Sequence, residues 1–373
     1  MINKRGPAFA AVFVALTLSF SALGAGQQPR RNANQRNQPE AQPQPPQGVG
    51  PQANSKDELD AFVALQNEQG AANKITLAEA FLAKYPNSDF ASYAQTFRVS
   101  AYAASGKAKE SIAAAEAAID ATVKFGEKLV AKADADAKLT DKDKENLRKK
   151  DKNIAFLDKN SPDFQGFMGQ SEGRILALYQ TIIQMYQQLN DAAKMMEYGE
   201  KALGFKPDDL NTLMMLSNVM AERPPAEEAA RVKHMQRAEE LANLAMAEFP
   251  KFASSPDAAR LTAEQKGALN GQLYYTLGLI QLHQKKYGPS QTSFLTAIKS
   301  NPADPIAYYR LGIAYVQDMK NDQAMDALAK SAFLKGVSEA GARDILKQLY
   351  VNKNKSETGI EDYIKAAGAK IGQ

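Results

Sequence analysis

The chain has 373 residues, with 46 Lys and Arg against 42 Asp and Glu, 44% hydrophobic residues and no cysteine. Without thiols there can be no disulfide, no thiolate metal site, no cysteine nucleophile and no lipidated amino-terminal cysteine. Lys4 and Arg5 supply two of the four excess positive charges and residues 27–55 a further two, so residues 56–373 are formally neutral; a nucleic-acid partner, which wants a clustered basic face, is not expected.

The first 26 residues, MINKRGPAFAAVFVALTLSFSALGAG, have the layout of a secretory signal peptide. Lys4 and Arg5 form the positive end and Ala8–Leu23 the apolar run. Ala22, Gly24, Ala25 and Gly26 offer small residues for cleavage near 24–26. The expectation is an exported protein, periplasmic or secreted. Nothing later in the chain reads as a transmembrane segment. Residues 27–55, rich in Gln, Pro and Asn, have too little apolar surface to offset ordering entropy. They read as a disordered Pro/Gln-rich linker.

From residue 56 onward apolar residues recur at three- and four-residue spacing, which predicts an all-α chain. Residues 56–125 form amino-terminal helices, 126–173 a charged insert and 174–373 a stack of helix pairs closed by polar capping helices. Pro86, Pro207, Pro250 and Pro302 are expected to mark the ends of second helices, since proline cannot continue a helix interior. Gly166, Gly169 and Gly173 suggest a mobile loop at the end of the insert, whose Thr140–Asp141 reads as a helix start. The alternating acids of DADAKLTDKDKE (134–145) do not make a calcium loop, because Lys138 and Leu139 stand where an oxygen ligand and a glycine are needed.

Two stretches repeat at a spacing of 34 residues: LYYTLGLIQL (273–282) and AYYRLGIAYV (307–316). Around the first stand Tyr274, Leu277, Gly278, Phe294, Ala297 and Pro302; around the second, Tyr308, Leu311, Gly312, Tyr315 and Ala324. Less regular copies begin at Tyr179 and Leu213, the latter interrupted by ERPPAEEAA (222–230). The pattern resembles the tetratricopeptide repeat, a helix–turn–helix unit of about 34 residues. Its midhelix glycine costs about 1 kcal/mol against alanine, and the resemblance implies that it sits where first and second helices press together.

The resemblance also implies a right-handed superhelical α-solenoid whose first helices line a concave groove. Carried over, the groove positions are Gln180, Gln184, Gln187 and Gln188 in one unit and Asn211, Met214 and Asn218 in the next. The third unit gives Tyr275, Leu279 and His283, and the fourth Tyr309, Ile313 and Gln317. Such a face suits an extended peptide or protein partner, although the Lys and Arg with which some members clamp a terminal carboxylate are missing from these positions.

Enzyme chemistry finds no foothold. His234 and His283 are the only histidines, and no phosphate-binding glycine loop or nucleophile elbow occurs. The paired methionines 195–196 and 214–215 fall on core-facing spacing, so neither a metal nor a cofactor is expected. The reading is a non-enzymatic interaction scaffold of the bacterial cell envelope. Two alternatives stay open: an envelope assembly factor acting in outer-membrane protein insertion or cell-wall coordination, and a small-molecule binder or enzyme using a pocket under 126–173.

Overall fold

The computed structural model describes residues 49–151 and 154–372, so the expected signal peptide and most of the expected linker lie outside the described residues. Fifteen α-helices and no strand occur among them. The first half holds α1 (Lys56–Asn67), α2 (Ala71–Lys84), α3 (Ala91–Ala104), α4 (Ala108–Ala137), α5 (Asp141–Lys150), α6 (Pro162–Gln188) and α7 (Ala192–Phe205). The second half holds α8 (Leu210–Glu222), α9 (Glu228–Ala253), α10 (Ala263–His283), α11 (Tyr287–Ser300), α12 (Pro305–Gln317), α13 (Asn321–Leu334), α14 (Glu339–Asn354) and α15 (Ile360–Gly368). No described helix is long and apolar enough to cross a membrane.

Helix starts follow side-chain capping. Ser55, Ser161, Asp191, Asp209, Thr262 and Asp304 each accept a hydrogen bond from a backbone N–H of the first turn. The expected start at Thr140–Asp141 is present, with Thr140 and Asp143 satisfying one another's backbone N–H groups. The turns inside the hairpins share one device. Gly106, Asn190, Lys285 and Met319 all adopt positive φ (69°, 55°, 61° and 58°) between paired helices. In each case the next N–H reaches back to the carbonyl of Tyr102, Tyr186, Gln281 or Tyr315, closing the first helix.

The hairpins α3–α4, α6–α7, α8–α9, α10–α11 and α12–α13 stack in chain order, and α14 and α15 close on α13. First helices of successive hairpins meet (α8 with α10, α10 with α12, α12 with α14), whereas the second helices α7, α9, α11 and α13 make no comparable contact with one another. The stack therefore bends with α8, α10 and α12 on its inner face.

The seam glycines stand where the sequence expects them. A Cβ at Gly278 would lie 2.9 Å from the Phe294 ring, and one at Gly312 2.6 Å from Leu328 Cγ. Leu277, Phe294, Ala297, Leu311, Leu328 and Ser331 are buried alongside. Each large side chain so buried contributes roughly 1.5–3 kcal/mol, which outweighs the local glycine cost. Three further seams escaped the sequence: Gly199 against Leu216, Gly271 against Ser300 and Gly368 against Phe333.

Four expectations change. Gly166, Gly169 and Gly173 belong to α6 and not to a mobile loop. Phe164, Phe167, Met168, Ser171 and Ile175 hold that helix at three- and four-residue spacing, and packing overrides glycine propensity. Half of the 126–173 segment is the carboxyl end of α4 and the amino end of α6, which cluster through Phe125, Leu129, Ala133 and Phe164 together with Leu157; α5 and the loops around it make up the rest. Residues 49–55, expected as free linker, are fixed, since Val49 packs on that same cluster and Ser55 caps α1. Pro86, Pro207 and Pro302 follow helix ends, but Pro250 lies inside α9, which runs on to Ala253.

Candidate functional site: the inner face of α8, α10 and α12

Three first helices place polar side chains together at the centre of the inner face. Glu222 ends α8; its Oε1 accepts from the Tyr275 hydroxyl of α10 at 2.7 Å and its Oε2 from Arg310 Nη2 of α12 at 3.1 Å. Glu222 and Arg310 are largely but not fully covered, with side-chain exposures of 16% and 25%. Arg310 Nε is buried without a partner. Beside them Asn218 Oδ1 accepts from Gln272 Nε2 at 3.2 Å and Thr276 Oγ1 at 3.3 Å. Burial, reinforced by Glu222, pushes the Tyr275 hydroxyl well above the usual phenol range. At neutral pH it donates to the carboxylate and does not ionise.

Both histidines sit at the carboxyl end of α8, where helix carbonyls lack intrahelical partners. His234 Nε2 lies 3.0 Å from the Met220 carbonyl, and His283 faces that of Ala221. Burial first, then Arg310, holds the His283 pKa below its ordinary value, with Ala221 and Glu222 acting in the opposite sense. These histidines close a helix. Among the described residues no three carboxylates or histidines gather as a metal site.

Of the expected groove residues, Asn218, Tyr275 and His283 join this cluster. Tyr275 contributes only its hydroxyl, because its ring is buried on Phe294 at 5.9 Å. Leu279 is wholly buried beneath and cannot touch a partner, a correction that follows from α8 and α12 closing over α10. Met214 is half-buried and packs on the core, while Asn211 is exposed. Tyr309 and Ile313 are half-buried on α12, with the Tyr309 ring against Gly341 of α14, and Gln317 is exposed. Gln184, Gln187 and Gln188 are exposed on α6, and Gln180 reaches Asp209 at 3.5 Å. They stand apart from the central cluster. The sequence reading missed Glu222 and Arg310; Arg310 is not at one of the transferred groove positions and is paired with Glu222. Their 88-residue separation leaves no local spacing to find.

A tetratricopeptide-repeat family model matches residues 271–304, the end of α10 through α11 and its turn. This window carries Gly278, Phe294, Ala297 and Pro302, and the hairpin 34 residues on repeats its geometry. Residues 271–304 are a tetratricopeptide repeat. Solved structures similar to the chain include a fragment of MamA from Desulfovibrio magneticus RS-1 (18% identity, 53% of this chain and 97% of that one, TM-score 0.38). Another is the carboxyl-terminal part of a repeat protein from Cytophaga hutchinsonii (12% identity, 84% and 95%, TM-score 0.44). A third is a tetratricopeptide-repeat protein from Parabacteroides merdae (13% identity, 84% and 95%, TM-score 0.38). No curated protein matches the chain. Its tetratricopeptide hairpins supply the surface; the side chains just described decide what that surface can hold.

Proposed function

We propose that this tetratricopeptide-repeat protein is a non-enzymatic scaffold that holds an extended segment of a partner protein along the inner face of α8, α10 and α12, in the bacterial cell envelope. The observation that carries the reading is the convergence of Glu222, Tyr275, Arg310, Asn218, Gln272 and Thr276 from three successive first helices. The Gln272 and Asn218 amides there can pair with a peptide backbone, and the half-buried Ile313 and Tyr309 offer apolar contact for its side chains. The envelope setting rests on the signal-like residues 1–26.

An envelope assembly factor is a narrower form of the same reading. A small-molecule site under 126–173 is disfavoured, because Phe125, Leu129, Ala133, Leu157 and Phe164 fill that space.

Photo-crosslinking in intact cells tests the proposal. A photoreactive residue at Gln272 should attach a partner protein, and the same residue at Lys299, on the exposed side of α11, should attach it far less. Glu222→Lys, which sets like charge against Arg310, should abolish the inner-face adduct. Equal adducts from both positions, or an adduct indifferent to Glu222→Lys, would refute inner-face binding. Fractionation of the same cells, with amino-terminal sequencing of the mature chain, tests the envelope setting.

A further inference from the structure

The outer face carries a second site that the inner-face reading does not use. Between the second helices α11 and α13 lies a cavity of about 360 Å³, floored by Tyr308, Leu311, Tyr315 and Ala327. Its rim carries Asp322, Asp326 and Lys330 on α13, with Leu295 of α11 on the opposite side. Aromatic floor and carboxylate rim together are the surroundings that an alkyl-stemmed cation prefers.

The cavity displays that preference on its own side chain. Lys330 Nζ lies 2.8 Å from Asp326 Oδ2 and 5.8 Å from the centre of the Tyr308 ring. Asp326 also acts electrostatically on Tyr308, Tyr315 and Tyr363, whose hydroxyls burial pushes upward in pKa. Asp322 is held only by Lys353 at 2.7 Å, an exposed pair of the kind that contributes little.

The repeat architecture does not require these charges. Thirty-four residues earlier, the positions of Asp322, Asp326 and Lys330 are Gly288, Thr292 and Thr296, and that hairpin packs equally well. Nor does the cavity end at the carboxylates. Leu295 stays 48% exposed at its edge, an apolar surface that residues flanking a bound side chain can cover.

We infer that this outer cavity receives a lysine or arginine side chain of a partner protein, which takes the place of Lys330 between Asp326 and the ring of Tyr308, beside Tyr315 in the cavity lining. The displaced Lys330 swings to solvent on its flexible stem, so no buried charge is left unpaired.

The full chain labelled with 3-fluorotyrosine tests this by fluorine NMR, with resonances of Tyr308 and Tyr315 assigned from Tyr→Phe variants. Acetyl-Ala-Arg-Ala amide should shift both resonances saturably, and acetyl-Ala-Gln-Ala amide should not. Asp326→Asn should weaken binding by about fivefold or more, the scale of losing one charge-assisted hydrogen bond. Lys330→Met, which removes the internal competitor and keeps Asp326, should tighten it by about twofold or more. Gln272→Ala on the inner face, which leaves the Glu222–Arg310 pair intact, should leave the titration unchanged, which separates this site from the groove. Equal shifts with the glutamine peptide, or indifference to both Asp326→Asn and Lys330→Met, would overturn the proposal. Binding of putrescine as tight as that of the arginine peptide would overturn the assignment to a protein side chain.

Discussion

Gly312→Val tests the seam on which the hairpin stack depends. A Cβ at Gly312 would stand 2.6 Å from Leu328 Cγ and 2.7 Å from its Cδ2, and Leu328 is fully buried. Valine recovers only about 0.4 kcal/mol of helix propensity over glycine. Against this stands overpacking of about 1–3 kcal/mol, because α12 and α13 must move apart to admit the new methyl groups. The net expectation is a loss of about 1–3 kcal/mol in urea unfolding followed by far-UV circular dichroism. Gly173→Val is the matched control, since nothing lies within 4 Å of a Cβ there; it should be neutral or gain about 0.4 kcal/mol. In a stacked array stability is a sum of repeats and their interfaces, so hydrogen exchange should quicken mainly in α12 and α13. Leu328→Ala alone should cost about 2–5 kcal/mol but clearly less in the Gly312→Val background, where it also relieves the clash. Equal midpoints for the two valine variants, or strictly additive losses in the double variant, would refute the seam.

Met319, 86% exposed at φ 58°, makes no packing contribution that glycine would lose; Met319→Gly should raise stability by about 0.5–1 kcal/mol, measured as a urea midpoint. A Cβ at Gly368 would fall 2.2 Å from the Phe333 ring, so Gly368→Ala should loosen α15 and expose residues 355–359 to protease while the earlier hairpins keep their exchange protection. His283 has a folded-state pKa below its ordinary 6.5. In the window beneath that value the unfolded chain binds more protons than the folded one, so stability should fall on acidification through about pH 6.5. His283→Gln should flatten this dependence, and a slope of the same size in that variant would refute the assignment.

Much of the fold was legible because its constraints are local. Three- and four-residue spacing gave the helices, and the 34-residue recurrence of Tyr–x–x–Leu–Gly gave the hairpins. Two things were hidden. At the hairpin turns, Gly106 and Asn190 advertise a left-handed residue, but Lys285 and Met319 do not; there the helices on either side impose the conformation. The other is length. α4, α6, α9 and α10 run to 30, 27, 26 and 21 residues where the regular hairpin helices have 13 or 14. The extra turns of α4 and α6 bury one another through contacts as distant in sequence as Phe125 with Phe167, and charged or glycine-rich local composition pointed to an insert instead.

The inner face was less legible for a reason that also bears on how it works. Positional transfer of groove residues treats each repeat alone, and it found Asn218, Tyr275 and His283 because each faces inward on its own helix. The ion pair of Glu222 with Arg310 belongs to no single repeat. It joins helices two hairpins apart across α10. Leu279, which positional transfer had counted as a contact residue, is buried in the core. In the proposed reading the same two charges bear on both curvature and recognition. A substitution that frees Arg310 changes both what the inner face can bind and how far its helices stand apart. For that reason a change in partner binding after Glu222→Lys should be accompanied by a change in the small-angle scattering profile, whereas Gln272→Ala, which leaves the ion pair intact, should alter binding alone.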